Sequence, residues 1–147
     1  MTPTMPGDVS EPAVIRKALT TPATWAVVGL STDATRTAYG VARWMHDALG
    51  HRIIPVHPRA EEVWGEPGYP TLAQIPDGTA VAVVDCFVNS QRVGKVVDEA
   101  IVNKDRLGIE TIWLQLGVID QDAAQRAIVA GLDVVMDTCP MIEYPKL

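Results

Sequence analysis

Apolar residues in this chain fall into two kinds of pattern that alternate from residue 25 onward. Short unbroken runs predict strands buried on both faces: WAVVG (25–29), RIIPVHP (52–58), AVAVVDCF (80–87), IETIWLQLG (109–117) and LDVVM (132–136). Between them the apolar positions recur every three or four residues, the period of a helix. Ala38, Val41, Ala42, Met45, Ala48 and Leu49 make one such stripe, which Gly50 ends. Val93, Val96, Val97, Ala100 and Ile101 make a second, with Asn89 or Ser90 as its cap. Ala124, Ala127 and Ile128 make a third, capped by Asp120. Ahead of the first strand, SEPAVIRKAL (10–19) predicts a lead-in helix with Ser10 as N-cap, Pro12 in the first turn, and Val14, Ile15, Ala18 and Leu19 turned inward. The segment 61–78 is punctuated by glycine and proline; it has room for a short edge strand near Val63 and one helical turn at Thr71 to Gln74.

Strand–helix–strand repetition requires parallel pairing with helical crossovers. The expected fold class is α/β: a single Rossmann-like open, mainly parallel sheet of about five strands with helices on both faces. Residues 1–22 read as a loose tail and the lead-in helix, and 23–147 as one domain. Ligands of such sheets sit beyond the carboxyl ends of the strands, where the strand order reverses.

Composition narrows the ligand. The chain of 147 residues is large enough for one core, and 48% apolar content with 20% charge describes a folded protein. A net charge of −6 excludes a surface that is generally attractive to nucleic acid, so an anionic ligand needs particular cations. Cys86 and Cys139 make no C-x-x-C signature, which fits a reducing compartment. No apolar run reaches the about 18 residues of a membrane span, and the N-terminus does not read as a secretory signal. The expectation is a cytoplasmic protein with no membrane partner. Trp44 and Trp64, just off the predicted core stripes, leave room for a homodimer contact.

The strand ends carry the candidate chemistry. VVGLSTDATRTAYG (27–40) runs from a strand through Gly29 into a helix, without the G-x-G-x-x-G of ordinary dinucleotide sites. Gly29 lets a ligand approach the backbone. The loop offers Ser31, Thr32, Thr35 and Thr37 hydroxyls and Arg36, and the next helix points its N-terminal amides there, so phosphate is the matching ligand. At the tip of the second strand, where an NAD site places an acid, stand His57 and Arg59. A guanidinium there favours a phosphorylated ribose, found in both NADP and coenzyme A. Glu61 and Glu62 read as solvated surface, and so do His46 and His51 on or just after a helix. Cys86 reads as a small buried hydrophobe and Cys139 as structural. No G-x-S-x-G elbow, H-E-x-x-H or P-loop lysine is present, and no nucleophile, base and orienting group assemble.

AVVGLSTDATRTAYGVARWM, RIIPVHPRAEEVWGEPGYPTLAQIP, VAVVDCFVNSQRVGKVVDEAI, TIWLQLGVIDQDAA and GLDVVMDTCPMIEYP, taken in order, resemble the small stand-alone CoA-binding domain proteins. These are similar in turn to the N-terminal domain of the succinyl-CoA synthetase alpha subunit and of ADP-forming acyl-CoA synthetases. The resemblance implies CoA lying across the strand ends. Gly29, Leu30 and Ser31 would meet the pyrophosphate, with Arg36 and Tyr39 nearby. Val56, His57, Pro58 and Arg59 would surround the adenosine 3′-phosphate. Asp85, Cys86 and Phe87 would form the cleft floor, and Leu114, Gln115 and Gly117 would face the pantetheine arm. The arginine that many relatives carry after the phenylalanine is Val88 here, and the asparagine is His57. The synthetases' chemistry resides in further domains, so the resemblance implies a CoA or acyl-CoA binder without catalysis of its own. An NADP-binding oxidoreductase or redox sensor is the alternative.

Overall fold

The computed structural model describes residues 9–147. Helix α1 (Pro12–Thr20) leads into β1 (Thr24–Val28), α2 (Thr37–Leu49) and β2 (Arg52–Val56). After a long loop come β3 (Val83–Cys86), α3 (Ser90–Val102), a single turn α4 (Lys104–Leu107), β4 (Thr111–Leu114), α5 (Gln121–Val129), β5 (Asp133–Val135) and α6 (Pro140–Glu143). The sheet is five-stranded and wholly parallel, in the order β2-β1-β3-β4-β5. The chain therefore winds outward from β1 in one direction and, from β3 on, in the other. Beyond the expected elements, α4 and α6 appear; each is only four residues long, too short for a periodic stripe to reveal.

Strand alternation divides the core in two. Ala26, Ile54, Val84, Ile112 and Val134 face α3 and α5, whose Val93, Val97, Ala124 and Ala127 cover them. Trp25, Val27, Ile53, Val83 and Trp113 face the other way, under Ile15 and Leu19 of α1 and Val41 and Met45 of α2. Each large side chain so buried contributes about 1.5–3 kcal/mol. Ala48 falls outside both layers, being exposed at the end of the α2 stripe.

Both edges of the sheet are occupied by loop backbone. Pro55 lies within β2, where a missing N–H would damage a central strand. β2 is an edge strand, and Pro55 faces outward: its carbonyl accepts from the Tyr69 amide at 3.1 Å, while Tyr69 in turn accepts from His57 at 3.0 Å. On the far edge Ser10 is not the N-cap of α1, a position held by Glu11. With φ of 60° it turns toward β5, donating its amide to the Val134 carbonyl at 2.7 Å and accepting from the Met136 amide at 3.1 Å. The expected edge strand near Val63 is a single antiparallel bridge to Glu66, and the helical turn is Leu72–Gln74. Asn89 and Asp120 cap α3 and α5 through their side chains, as their sequence positions imply.

His51 departs from its sequence reading. Gly50 ends α2 in the left-handed conformation and turns His51 inward, where it is 1% exposed and stacked on Trp25 with ring centroids 5.1 Å apart. Its Nδ1 accepts from the Ala23 amide at 3.2 Å, which places the proton of the neutral ring on Nε2. Burial holds its pKa below the ordinary value. A ring that stays neutral in the fold while it protonates in the unfolded chain loses stability as pH falls below about 6.5. Urea unfolding of the wild type at pH 5 to 7 is expected to show this decline, and His51→Phe to flatten it.

Candidate functional site

The strand order reverses between β1 and β3, and there the loops after the two strands diverge to opposite faces. Gly29 holds this corner together. Its amide donates to the Val56 carbonyl at 2.7 Å, while the Phe87 amide donates to the Val28 carbonyl at 2.8 Å, so three strand ends are tied by backbone. Gly29 has φ of 104°, and a Cβ built on it would lie 2.5 Å from the Phe87 carbonyl oxygen. The glycine is thus required by protein backbone as well as by any ligand.

A cleft of about 720 Å³ opens from this corner along α3, within the range of about 300–1,000 Å³ common for small-molecule sites. Gly29, Arg36, Val56, His57, Pro58 and Phe87 line it, bringing together six of the residues expected from sequence. The opposite walls were not anticipated. Pro70, Thr71 and Leu72 form one, and Val88, Asn89 and the α3 residues Gln91, Arg92, Lys95, Val96 and Glu99 form the other, of which only Asn89 was read from the sequence as a hydrogen-bonding contact at the third strand end. Arg106 of α4 fixes the first wall by donating to the Leu72 and Ala73 carbonyls at 3.1 and 3.2 Å. Arg92 and Lys95 lie in the first two turns of α3, the helix that follows β3. That placement on a capped helix was the available signal.

The remaining expected residues lie elsewhere. Leu30, Cys86 and Leu114 are wholly buried in the two core layers. Ser31 is 5% exposed, and its hydroxyl accepts from the Asp33 amide, while Asp33 in turn accepts from both the amide and the hydroxyl of Thr35. The hydroxyls of Ser31 and Thr35 thus serve the turn itself. Tyr39 accepts from the Trp64 indole N–H at 3.1 Å, and Arg43 lies over that ring at 5.7 Å, so Trp64 is engaged within the chain. Trp44 likewise meets Tyr144 edge-on at 5.6 Å. Gly117 donates its amide to Asp137 at 2.7 Å, at the β4 end and away from the cleft lining. Arg59 also lies outside the lining, bonded to Glu61 at 3.2 Å, and Glu61 reaches back to Thr32 at 3.1 Å. Glu61 is therefore a bridge between two loops, not the solvated charge its sequence position implies.

Asp85 and Gln115 meet beneath the corner, on the α2 side of the sheet. Gln115 donates to Asp85 Oδ1 at 2.6 Å, and Asp85 Oδ2 is buried without a partner. Burial raises the Asp85 pKa to about 8, against the lowering effect of Gln115. Burial also pushes both thiols up, Cys86 furthest, so neither is activated as a thiolate. His57 is held below its ordinary value by burial first and then by the Arg59 and Arg36 charges.

The cations of the molecule are unevenly partnered. Of the 12 lysines and arginines, Lys17, Arg43, Arg52, Arg59, Lys104, Arg106, Arg126 and Lys146 each lie beside a carboxylate. Among the described residues Arg16, Arg36, Arg92 and Lys95 do not, and the last three all line the cleft. One carboxylate, Glu99, shares the lining and is engaged by the Ala73 amide at 3.1 Å.

A family model for the CoA-binding domain matches residues 23–145. The chain belongs to the CoA-binding domain family. An uncharacterised protein of Bacillus subtilis, YneT, is 33% identical over 119 residues, covering 81% of this chain and 83% of that one. The solved structure of a hypothetical protein from Pyrococcus horikoshii OT3 superposes with a TM-score of 0.82 at 33% identity, over 100% of this chain and 99% of that one. The dinucleotide-forming acetyl-coenzyme A synthetase of Ca. Korarchaeum cryptofilum shares the fold at 22% identity and a TM-score of 0.63, over 82% of this chain and 27% of the synthetase. The family match begins just ahead of β1, so α1 precedes it.

Two substitutions test this geometry. Gly29→Ala forces a Cβ against the Phe87 carbonyl at an unfavourable φ and is expected to cost about 2 kcal/mol or more in denaturant unfolding. Asp85 favours its protonated form in the fold, so its contribution is fully present below about pH 4 and is lost as pH rises toward about 8. Asp85→Asn is expected to remove that loss, seen as a smaller fall in unfolding free energy between pH 6.5 and 8.5 than in the wild type.

Proposed function

We propose that the protein binds coenzyme A or an acyl-CoA in the cleft at the β1/β3 switch point and carries out no catalysis of its own. The observation that supports this most strongly is the convergence of Arg36, Arg92 and Lys95 on one cleft of a protein whose net charge is −6. Cations without carboxylate partners match a ligand carrying several phosphate charges, which CoA supplies as a diphosphate and a 3′-phosphate.

The walls fit the rest of such a ligand. Pro70, Leu72, Val88 and Val96 offer apolar surface to an adenine or an acyl-pantetheine arm, and Thr71, Asn89 and Gln91 offer hydrogen-bonding groups beside it. Arg36 stands just ahead of α2 and lines the cleft without capping that helix through its side chain, which leaves its guanidinium to an anionic ligand. Binding and orientation by these residues is the whole of the proposed role. Burial raises both thiols and encloses Asp85, so none of these three groups adds a nucleophile or base to it. The family membership supports the ligand class, and the reducing compartment expected from the cysteines supports a cytoplasmic setting.

Titration calorimetry of the purified protein with CoA, and with NADPH as comparison, tests the reading. CoA is expected to bind, and Arg92→Ala with Lys95→Ala to weaken it about ten-fold or more through lost charge-assisted contacts. Binding of NADPH alone would replace this reading with a nicotinamide-cofactor protein.

A further inference from the structure

Glu61 occupies the place of an anion at the rim of the cleft. Its Oε1 accepts from Arg59 Nε at 3.2 Å, and its Oε2 accepts from the Thr32 hydroxyl at 3.1 Å. One carboxylate thus gathers a guanidinium from the loop after β2 and a hydroxyl from the loop after β1. That donor set also suits a phosphate monoester, which has three acceptor oxygens and nearly two charges where Glu61 has two oxygens and one.

The backbone fixes this arrangement. Ala60 is left-handed with φ of 50°, a conformation a non-glycine residue adopts only when its surroundings impose it. Gly68 packs so closely under the loop that a Cβ there would collide with the Glu61 carbonyl oxygen and the Ala60 carbonyl carbon. The Arg59 amide donates to His57 Nδ1 at 3.1 Å, so the loop is tied to a residue of the cleft lining. The contact itself is weak: the Arg59 and Glu61 side chains are 60% and 35% exposed, and pairs of that kind are easily exchanged. A rigid loop that presents a loosely held counter-ion beside a cationic cleft has the form of a competitor awaiting displacement.

We propose that Glu61 is a built-in competitor for the terminal phosphate of the ligand. It holds Arg59 and Thr32 until a phosphate monoester displaces it, and only a ligand carrying that phosphate recruits Arg59. This rests on the proposed binding of CoA, and it assigns the discrimination between CoA and 3′-dephospho-CoA to the Arg59–Glu61 pair. Neutralising Glu61 frees Arg59, and only the ligand with the 3′-phosphate gains.

Calorimetric titration with CoA and with 3′-dephospho-CoA tests the pair, using the wild type, Glu61→Gln, Arg59→Ala, the double variant, and Glu62→Gln as a neighbouring charge control. Glu61→Gln is expected to bind CoA about three- to ten-fold more tightly, with dephospho-CoA unchanged. The gain is expected to vanish in the double variant and to be absent in Glu62→Gln. Circular dichroism of each variant establishes that it is folded. Unchanged CoA affinity in folded Glu61→Gln, or an equal gain for both ligands, would overturn the competitor role and leave CoA binding standing. Failure of every protein to bind either ligand would overturn the binding reading and this role with it.

Discussion

Everything above the sheet depends on how closely β1 and β3 can approach at their carboxyl ends. Gly29 lets the Phe87 carbonyl come to a position that any Cβ would contest, and the exchange of backbone hydrogen bonds among Gly29, Val56, Phe87 and Val28 locks three strand ends into one corner. From that corner the α2 loop and the α3 loop leave in opposite directions, and the cleft opens from it along α3. A bulkier residue would separate the tips and disturb the walls as well as the floor. The requirement is steric and local, and it precedes any question of what is bound.

Charge placement is the second determinant. An acidic chain can neutralise its own cations cheaply, and most are so placed: Arg52 forks onto Glu66 and Arg126 onto Asp98, and Arg43 pairs with Asp47. Arg36, Arg92 and Lys95 stand apart from that economy, and they come from two different crossovers of the sheet. Their convergence is produced by the fold, which brings the two crossovers to one cleft.

The elements were legible because their signals are local. Unbroken apolar runs marked all five strands, Gly50 marked the end of α2, and Asn89 and Asp120 capped where their side chains can reach amides three residues on. Gly29, Arg36 and His57 were legible as cleft residues because strand ends of a parallel sheet must face one way. What escaped depends on tertiary partners. Strand alternation sends Asp85 and Gln115 to the α2 face and Cys86 and Leu114 into the α3 face, so position at a strand end did not make their side chains accessible. Arg59 has the expected position, but Glu61 lies two residues on and claims it. His51 reads as exposed after a helix, and only the left-handed Gly50 reveals that the chain turns it under Trp25. Arg92 and Lys95 sit on the polar side of a helix, where a solvent-facing charge is the ordinary outcome.

The plugs at the two sheet edges bear on what the borders of the sheet can add. An open parallel sheet presents a row of backbone donors and acceptors at each border, a template on which another chain can add a strand. Tyr69 takes the outward groups of Pro55 and His57, and Ser10 takes those of Val134 and Met136. A five-stranded sheet with stoppered borders resists growth by strand addition and the fibrous association that follows from it.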